Sequence, residues 1–139
     1  MKILILCTGN SCRSQMAEGI LASFDPFLEV HSAGTNPAPA VNPNTIVVMD
    51  EIGISLDGHY PKNADIFKDE SFDFVITVCD HAKETCPIFT GKVGNHLHIG
   101  FPDPADAVGT PEEVLPVYRH AREDIKKRFW EFYQEYCLS

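Results

Sequence analysis

Positive charge is scarce in this chain: 11 Lys and Arg residues stand against 20 Asp and Glu, giving a formal charge of −9. Such a field repels nucleic acid and anionic membrane surfaces, so neither is expected as a partner. Long apolar runs are missing too. None approaches the roughly 18 residues that a membrane span needs, and the opening stretch at 1–6 is too short for a secretory signal. A cytoplasmic protein is expected. There is no internal repeat, no low-complexity tract and no linker long enough to divide domains, so residues 1–139 read as a single domain. The cysteine count is odd, with thiols at 7, 12, 79, 86 and 137, which argues against a closed set of secreted disulfides. In a reducing compartment such cysteines are more often catalytic, redox-active or metal-binding. What remains is ordinary for a globular chain: 44% apolar and 22% charged residues, enough to bury one core without staples.

Periodicity gives an alternation of strands and helices. The apolar run 2–6 predicts a buried parallel strand, followed by a turn-rich stretch at 7–14. Helical spacing of Met16, Ile20 and Leu21 predicts a helix over 15–24. A second strand is expected over 28–32, ended by Ala33-Gly34, then a Pro/Asn-rich loop over 35–44 and a helix over 45–52 stopped by Gly53. Residues 72–78 (Phe-Asp-Phe-Val-Ile-Thr-Val) form the clearest strand, and 96–101 a weaker one before Pro102-Asp103-Pro104. Thr110 and Glu113 predict a capping box with Pro111 at the first helical position. Val114, Val117, Tyr118, Ala121, Ile125, Phe129, Phe132 and Tyr136 then share one helix face. Pro116 is expected to kink or delay that helix. The pattern is that of an α/β three-layer sandwich around a parallel sheet of about four strands. Ligands bind such sheets beyond the carboxyl ends of the strands, where Cys7, Cys79 and Asp103 all fall.

The most specific string is Cys7-Thr8-Gly9-Asn10-Ser11-Cys12-Arg13-Ser14, a C-x5-R-S loop between a buried strand and a helix. Its backbone amides can form an anion-binding nest, with the helix N-terminus and the Arg13 fork adding positive charge. Gly9 permits backbone angles that other residues resist. The same donors favour a thiolate at Cys7, to which Ser14 is placed to donate a hydrogen bond. Cys12 is read as pointing away from the anion and packing. The loop thus lets an acidic protein hold a tetrahedral oxyanion and aim a nucleophile at its centre.

Expulsion of an oxygen from that anion needs a proton, and Asp103 is placed to supply it, with Asp106 its nearest competitor. Cys79 and Cys86 are separated by six residues, which does not match a zinc knuckle with its gaps of about two to four, although His81 lies between them. Two thiols so spaced can act as a relay. A helical i, i+7 pair stands about 10 Å apart along the axis, so a disulfide between them requires local unwinding.

At this point the string Cys-Thr-Gly-Asn-Ser-Cys-Arg-Ser-Gln-Met-Ala-Glu at 7–18 resembles the signature of thioredoxin-coupled arsenate reductases, whose fold is that of the low-molecular-weight protein tyrosine phosphatases. His31-Ser32-Ala33-Gly34, Val41-Asn42-Pro43, Cys79, Cys86-Pro87 and Asp103-Pro104-Ala105 extend the likeness over nearly the whole chain. The resemblance implies that arsenate is bound by residues 8–14 and attacked by Cys7, with Asp103 as the acid. It further implies that Cys79 then attacks Cys7, that Cys86 attacks Cys79, and that thioredoxin reduces the final disulfide. Some family members bind potassium through residues matching Asn10 and Glu18, together with a Thr and an Asp in a segment near 59–63. Here that segment carries Tyr60 and Lys62, so the Lys62 ammonium is expected to replace the ion and potassium stimulation is doubtful. No tightly bound cofactor is expected, and the chain is expected to be a monomer. Cys137 is read as a tail cysteine without a role.

Two other readings use fewer of these residues. A phosphatase acting on phosphotyrosine or a small phosphate ester needs Cys7, Arg13 and Asp103 but neither Cys79 nor Cys86. Such enzymes usually place aromatics beside the Asp-Pro, where this chain has Ala105-Asp106-Ala107. A thiol module that sequesters arsenite or a soft metal would have no use for Arg13 in an anion nest.

Overall fold

Four apolar residues in succession, Ile3, Leu4, Ile5 and Leu6, are fully buried, as a strand covered on both faces requires. In the computed structural model, which describes residues 1–80, 82 and 89–138, they form β1 (Lys2–Cys7). β1 pairs in parallel with β2 (Glu29–Gly34) on one side and β3 (Phe72–Thr77) on the other. β4 (Val93–His98) completes the sheet beside β3, in the order β2-β1-β3-β4 with every pair parallel. This is the expected α/β architecture. Among the described residues its helices include α1 (Arg13–Phe24), α2 (Pro43–Asp50) and α3 (Pro111–Phe132), and α3 packs on both α1 and α2. Short 3-10 turns lie at Ala64–Phe67 and Pro104–Asp106. No helix among the described residues is long and apolar enough to cross a membrane.

The element boundaries depart from the periodic reading for identifiable reasons. α1 begins at Arg13 rather than 15 because its first turn buries polar Ser14 and Gln15, which carry no apolar signal. β2 runs on to Gly34, which pairs with Cys7. A Cβ there would stand 2.4 Å from the Thr8 carbonyl oxygen, so this glycine allows a close approach instead of ending the strand. α2 starts at Pro43, where Asn42 caps it by accepting from the Asn44 amide at 2.9 Å, a start signal hidden inside the Pro/Asn loop.

β4 lies three residues earlier than expected, at 93–98 instead of 96–101. It is an edge strand with exposed Gly94, Asn95 and His96, so its pattern is polar. Ile99 and Phe101 continue past it, their amides donating to Thr77 and Val78 carbonyls at 2.9 and 3.1 Å. α3 forms its capping box, yet Pro116 neither ends nor delays it. The amide that Pro116 lacks would have met Glu112 in the exposed first turn, where water serves the carbonyl as well. On the predicted face Val114, Tyr118, Ala121, Ile125, Phe129 and Phe132 are buried, but Val117 and Tyr136 stand 41% exposed.

Candidate active site

The carboxyl ends of β1 and β3 open onto one cleft of about 640 Å³, lined by Thr8, Arg13, Cys79, Asp80, Asp103 and Asp106 among others. Its floor is the loop after β1. Every carbonyl of that loop is turned outward by a partner. Cys7, Thr8, Gly9 and Ser11 accept from the amides of Thr35, Asn36, Ala38 and Asn42 at 2.9–3.1 Å. Asn10 accepts from Gln15 Nε2 at 3.1 Å, and Cys12 from Met16 in the first turn of α1. In a trans peptide the following N–H points the opposite way. The amides of residues 8–13 therefore converge on the loop interior. α1 has no side-chain cap, so its free N-terminal donors join them.

The loop is held from beneath by a buried polar network. Asn10 is fully buried and adopts φ 51°, a left-handed conformation that asparagine tolerates better than most residues. Its Nδ2 donates to Ser14 Oγ at 2.8 Å and to Ser32 Oγ at 2.9 Å. Ser14 Oγ is an acceptor for Asn10, and among the described residues no hydrogen bond joins it to the Cys7 sulfur that the sequence had offered as its partner. Ser32 Oγ donates to Glu18 Oε1 at 2.7 Å, and His59 Nδ1 stands 3.0 Å from Gln15 Oε1 and 3.2 Å from Glu18 Oε2. These partners were illegible in the sequence, because a buried serine or glutamine looks like any polar surface residue.

The oxygens matching the potassium ligands of some family members take part in this network. Asn10 Oδ1 accepts from the Lys62 amide at 3.0 Å and from Gln15 Nε2 at 3.3 Å, while Glu18 is occupied by Ser32 and His59. The Lys62 ammonium donates to the Tyr60 carbonyl at 3.1 Å and lies 5.1 Å over its ring. Burial lowers its pKa, against the opposing pull of Glu18. Among the described residues no cluster of three metal-ligating side chains occurs.

Arg13 spans the cleft. Its Nη1 donates to the Phe101 carbonyl at 3.0 Å and its Nη2 lies 3.4 Å from Asp103 Oδ2, whereas its buried Nε has no partner among the described residues. Asp103 Oδ1 also accepts from the Ala105 amide at 3.0 Å, which fixes the carboxylate at the cleft mouth.

Cys7 and Cys79 form a hydrogen-bonded pair. The Cys7 thiol is pushed well above the usual range, first by donating to Cys79 and then by burial, against the pull of Arg13 and the Thr8 amide. Cys79 is pushed down to about 5, chiefly by accepting from Cys7. Thr8 Oγ1 at 3.3 Å and the Ala82 amide at 3.4 Å assist it. The two thiols are coupled and titrate as a pair, sharing one proton and one charge. Cys12 is buried as expected, its thiol pushed up to about 12 by desolvation, so it offers the cleft only its amide. Cys86, the third thiol of the expected relay, lies outside the described residues. Cys137 is a free, half-buried thiol in the turn after α3.

The family model for low molecular weight phosphotyrosine protein phosphatases matches residues 2–135. The chain belongs to that family. Within it, the chain is 44% identical to an arsenate reductase from Halalkalibacterium halodurans over 94% of its own length and 93% of the relative's. A solved arsenate reductase in the phosphate binding state superposes with a TM-score of 0.81 at 27% identity, covering 96% of this chain and 97% of that one. A thioredoxin-dependent arsenate reductase from Corynebacterium glutamicum gives 0.72 at 25% identity, over 96% of this chain and 60% of its own. The phosphatase-type fold thus carries, in these relatives, a reductase.

Proposed function

We propose that this chain reduces arsenate to arsenite through a relay of Cys7, Cys79 and Cys86, with thioredoxin as the external reductant. The observation that carries the reading is the pairing of an anion cradle with a second thiol inside the same cleft. The buried, unpartnered Arg13 Nε and the inward amides suit a tetrahedral oxyanion. A phosphatase would leave Cys79 idle, although here it stands against Cys7 and Thr8.

In the proposed sequence Cys79 accepts the proton of Cys7 as the Cys7 sulfur attacks arsenic, and one hydroxyl leaves as water with the proton of Asp103. Loss of the Cys79 proton to solvent through the open cleft restores its thiolate. Cys79 then attacks Cys7 Sγ. The sulfur–sulfur bond forms, the sulfur–arsenic pair stays on arsenic, and As(V) leaves as As(III). Cys86 attacks Cys79, releasing Cys7 as a thiolate, and a dithiol reductant reduces the Cys79–Cys86 disulfide. A cytoplasmic location, where thiols are kept reduced, suits this cycle. The reaction is independent of potassium, because the oxygens of Asn10 and Glu18 are already engaged.

Arsenate-dependent NADPH consumption with thioredoxin and thioredoxin reductase tests the reading. Turnover in the wild type that disappears in Cys79→Ser is the expected result. Wild-type protein without arsenate-dependent turnover, but with phosphate-ester hydrolysis that survives in Cys79→Ser, would return it to the phosphatases.

A further inference from the structure

The end of β3 carries a cluster to which the relay assigns no part. His98, the last residue of β4, is the register partner of Thr77, the last residue of β3. Its Nδ1 lies 2.8 Å from Thr77 Oγ1 and its Nε2 lies 3.0 Å from Asp80 Oδ1. A carboxylate only accepts, so the arrangement is satisfied by a ring that donates from Nε2 and accepts the Thr77 hydroxyl at Nδ1. Thr77 and Asp80 flank Cys79 in the chain, and the imidazole therefore spans the backbone that carries this thiol. Its position is also fixed from below: a Cβ on Gly100 would meet Nε2 at 2.9 Å, so the ring rests in space that the glycine leaves open.

We infer that His98 is a positioning residue for Cys79, an inference that rests on the relay reading. The residue before Cys79 is held by the sheet, since the Val78 amide donates to Leu6 at 2.9 Å and its carbonyl accepts from Phe101 at 3.1 Å. The residue after it, Asp80, is held through its side chain by His98. Among the described residues, the other contacts of Cys79 run through its sulfur, a weak acceptor. The imidazole thus sets where the Cys79 sulfur stands when it attacks Cys7 Sγ and the sulfur–arsenic pair departs on arsenic. Displacement of a reacting atom by about 1 Å can cost on the order of 10²-fold in rate. The Asp80 carboxylate is 90% exposed, so this hold sits at the solvent edge, where it is easily released once Cys79 must turn to the next thiol.

Arsenite release in a single turnover, without added reductant, tests the assignment in wild type, Asp80→Ala, His98→Asn and His98→Gln. The Asn amide reaches only the Nδ1 position, whereas the Gln amide reaches the Nε2 position and keeps an N–H for Asp80. Asp80→Ala and His98→Asn are expected to slow release about tenfold with the KM for arsenate unchanged, and His98→Gln to restore most of the rate. Asp80→Ala removes an exposed side chain, so its folding is not at issue. A wild-type rate in Asp80→Ala, or a parallel loss in rate and KM across all variants, would overturn the assignment. A wild type that releases no arsenite would instead overturn the relay reading, and the assignment with it.

Discussion

The cleft is built from two strand ends held in opposite ways. The loop after β1 is locked by buried contacts: Asn10, Ser14, Gln15 and Ser32 are all fully buried, and each backbone carbonyl has a partner. Among the described residues, the segment after β3 is held by sulfur contacts and by a hydrogen bond from His98 to a carboxylate almost wholly in solvent. The difference matches two tasks. A cradle for an anion gains from donors that cost no reorganisation, whereas in the proposed relay a thiol that serves two partners in turn needs a hold it can leave.

The sharpest test of this contrast lies in its chemistry. Cys7→Ala should lower arsenite formation by on the order of 10⁴-fold or more, since no other thiol stands in the cradle. Arg13→Lys should cost roughly 10²–10³-fold in kcat/KM, because an ammonium cannot replace a bidentate fork. Both are read from single-turnover arsenite release.

Asn10→Ala should destabilise the protein by about 1–3 kcal/mol in urea unfolding, by orphaning buried hydroxyl and amide partners and straining a left-handed residue. A variant as stable as the parent would break the contrast, since the cradle would then not depend on its buried network.

The paired thiols predict a pH effect of known sign. The charge on Cys79 is held down to about pH 5 and lost as the pH falls through that value, so thiolate absorbance near 240 nm should disappear there. Cys79→Ser should remove this step. Exchange of sodium for potassium is the smallest effect of all: the rate should not change, and a stimulation would show that Asn10 and Glu18 can still admit an ion.

Much of this molecule was legible in its sequence, and the limits were physical. β1 announced itself because a strand buried on both faces must be apolar along its length, and β3 because all but Asp73 of its residues are buried. β4 did not, because an edge strand with Asn95 and His96 in solvent carries no such constraint. The C-x5-R-S spacing identified the cradle because few other uses exist for that pattern after a buried strand. Some supports beneath it were hidden: Gln15 and His59 act through hydrogen bonds, and nothing in their spacing marks a polar side chain as part of a network. The coupling of Cys7 to Cys79 was equally out of reach, since it joins two sulfurs 72 positions apart in the chain.

The outward carbonyls of the loop have one more consequence. A floor made of amides responds to charge and size, not to the element at the centre, so arsenate and phosphate are equally welcome on arrival. Discrimination then falls to the step after binding, because only arsenic can leave a sulfur with an extra electron pair. The product, arsenous acid, is neutral near pH 7 and finds nothing in that floor to keep it. The trap that admits the oxidised species is therefore indifferent to the reduced one, and the reaction empties its own site.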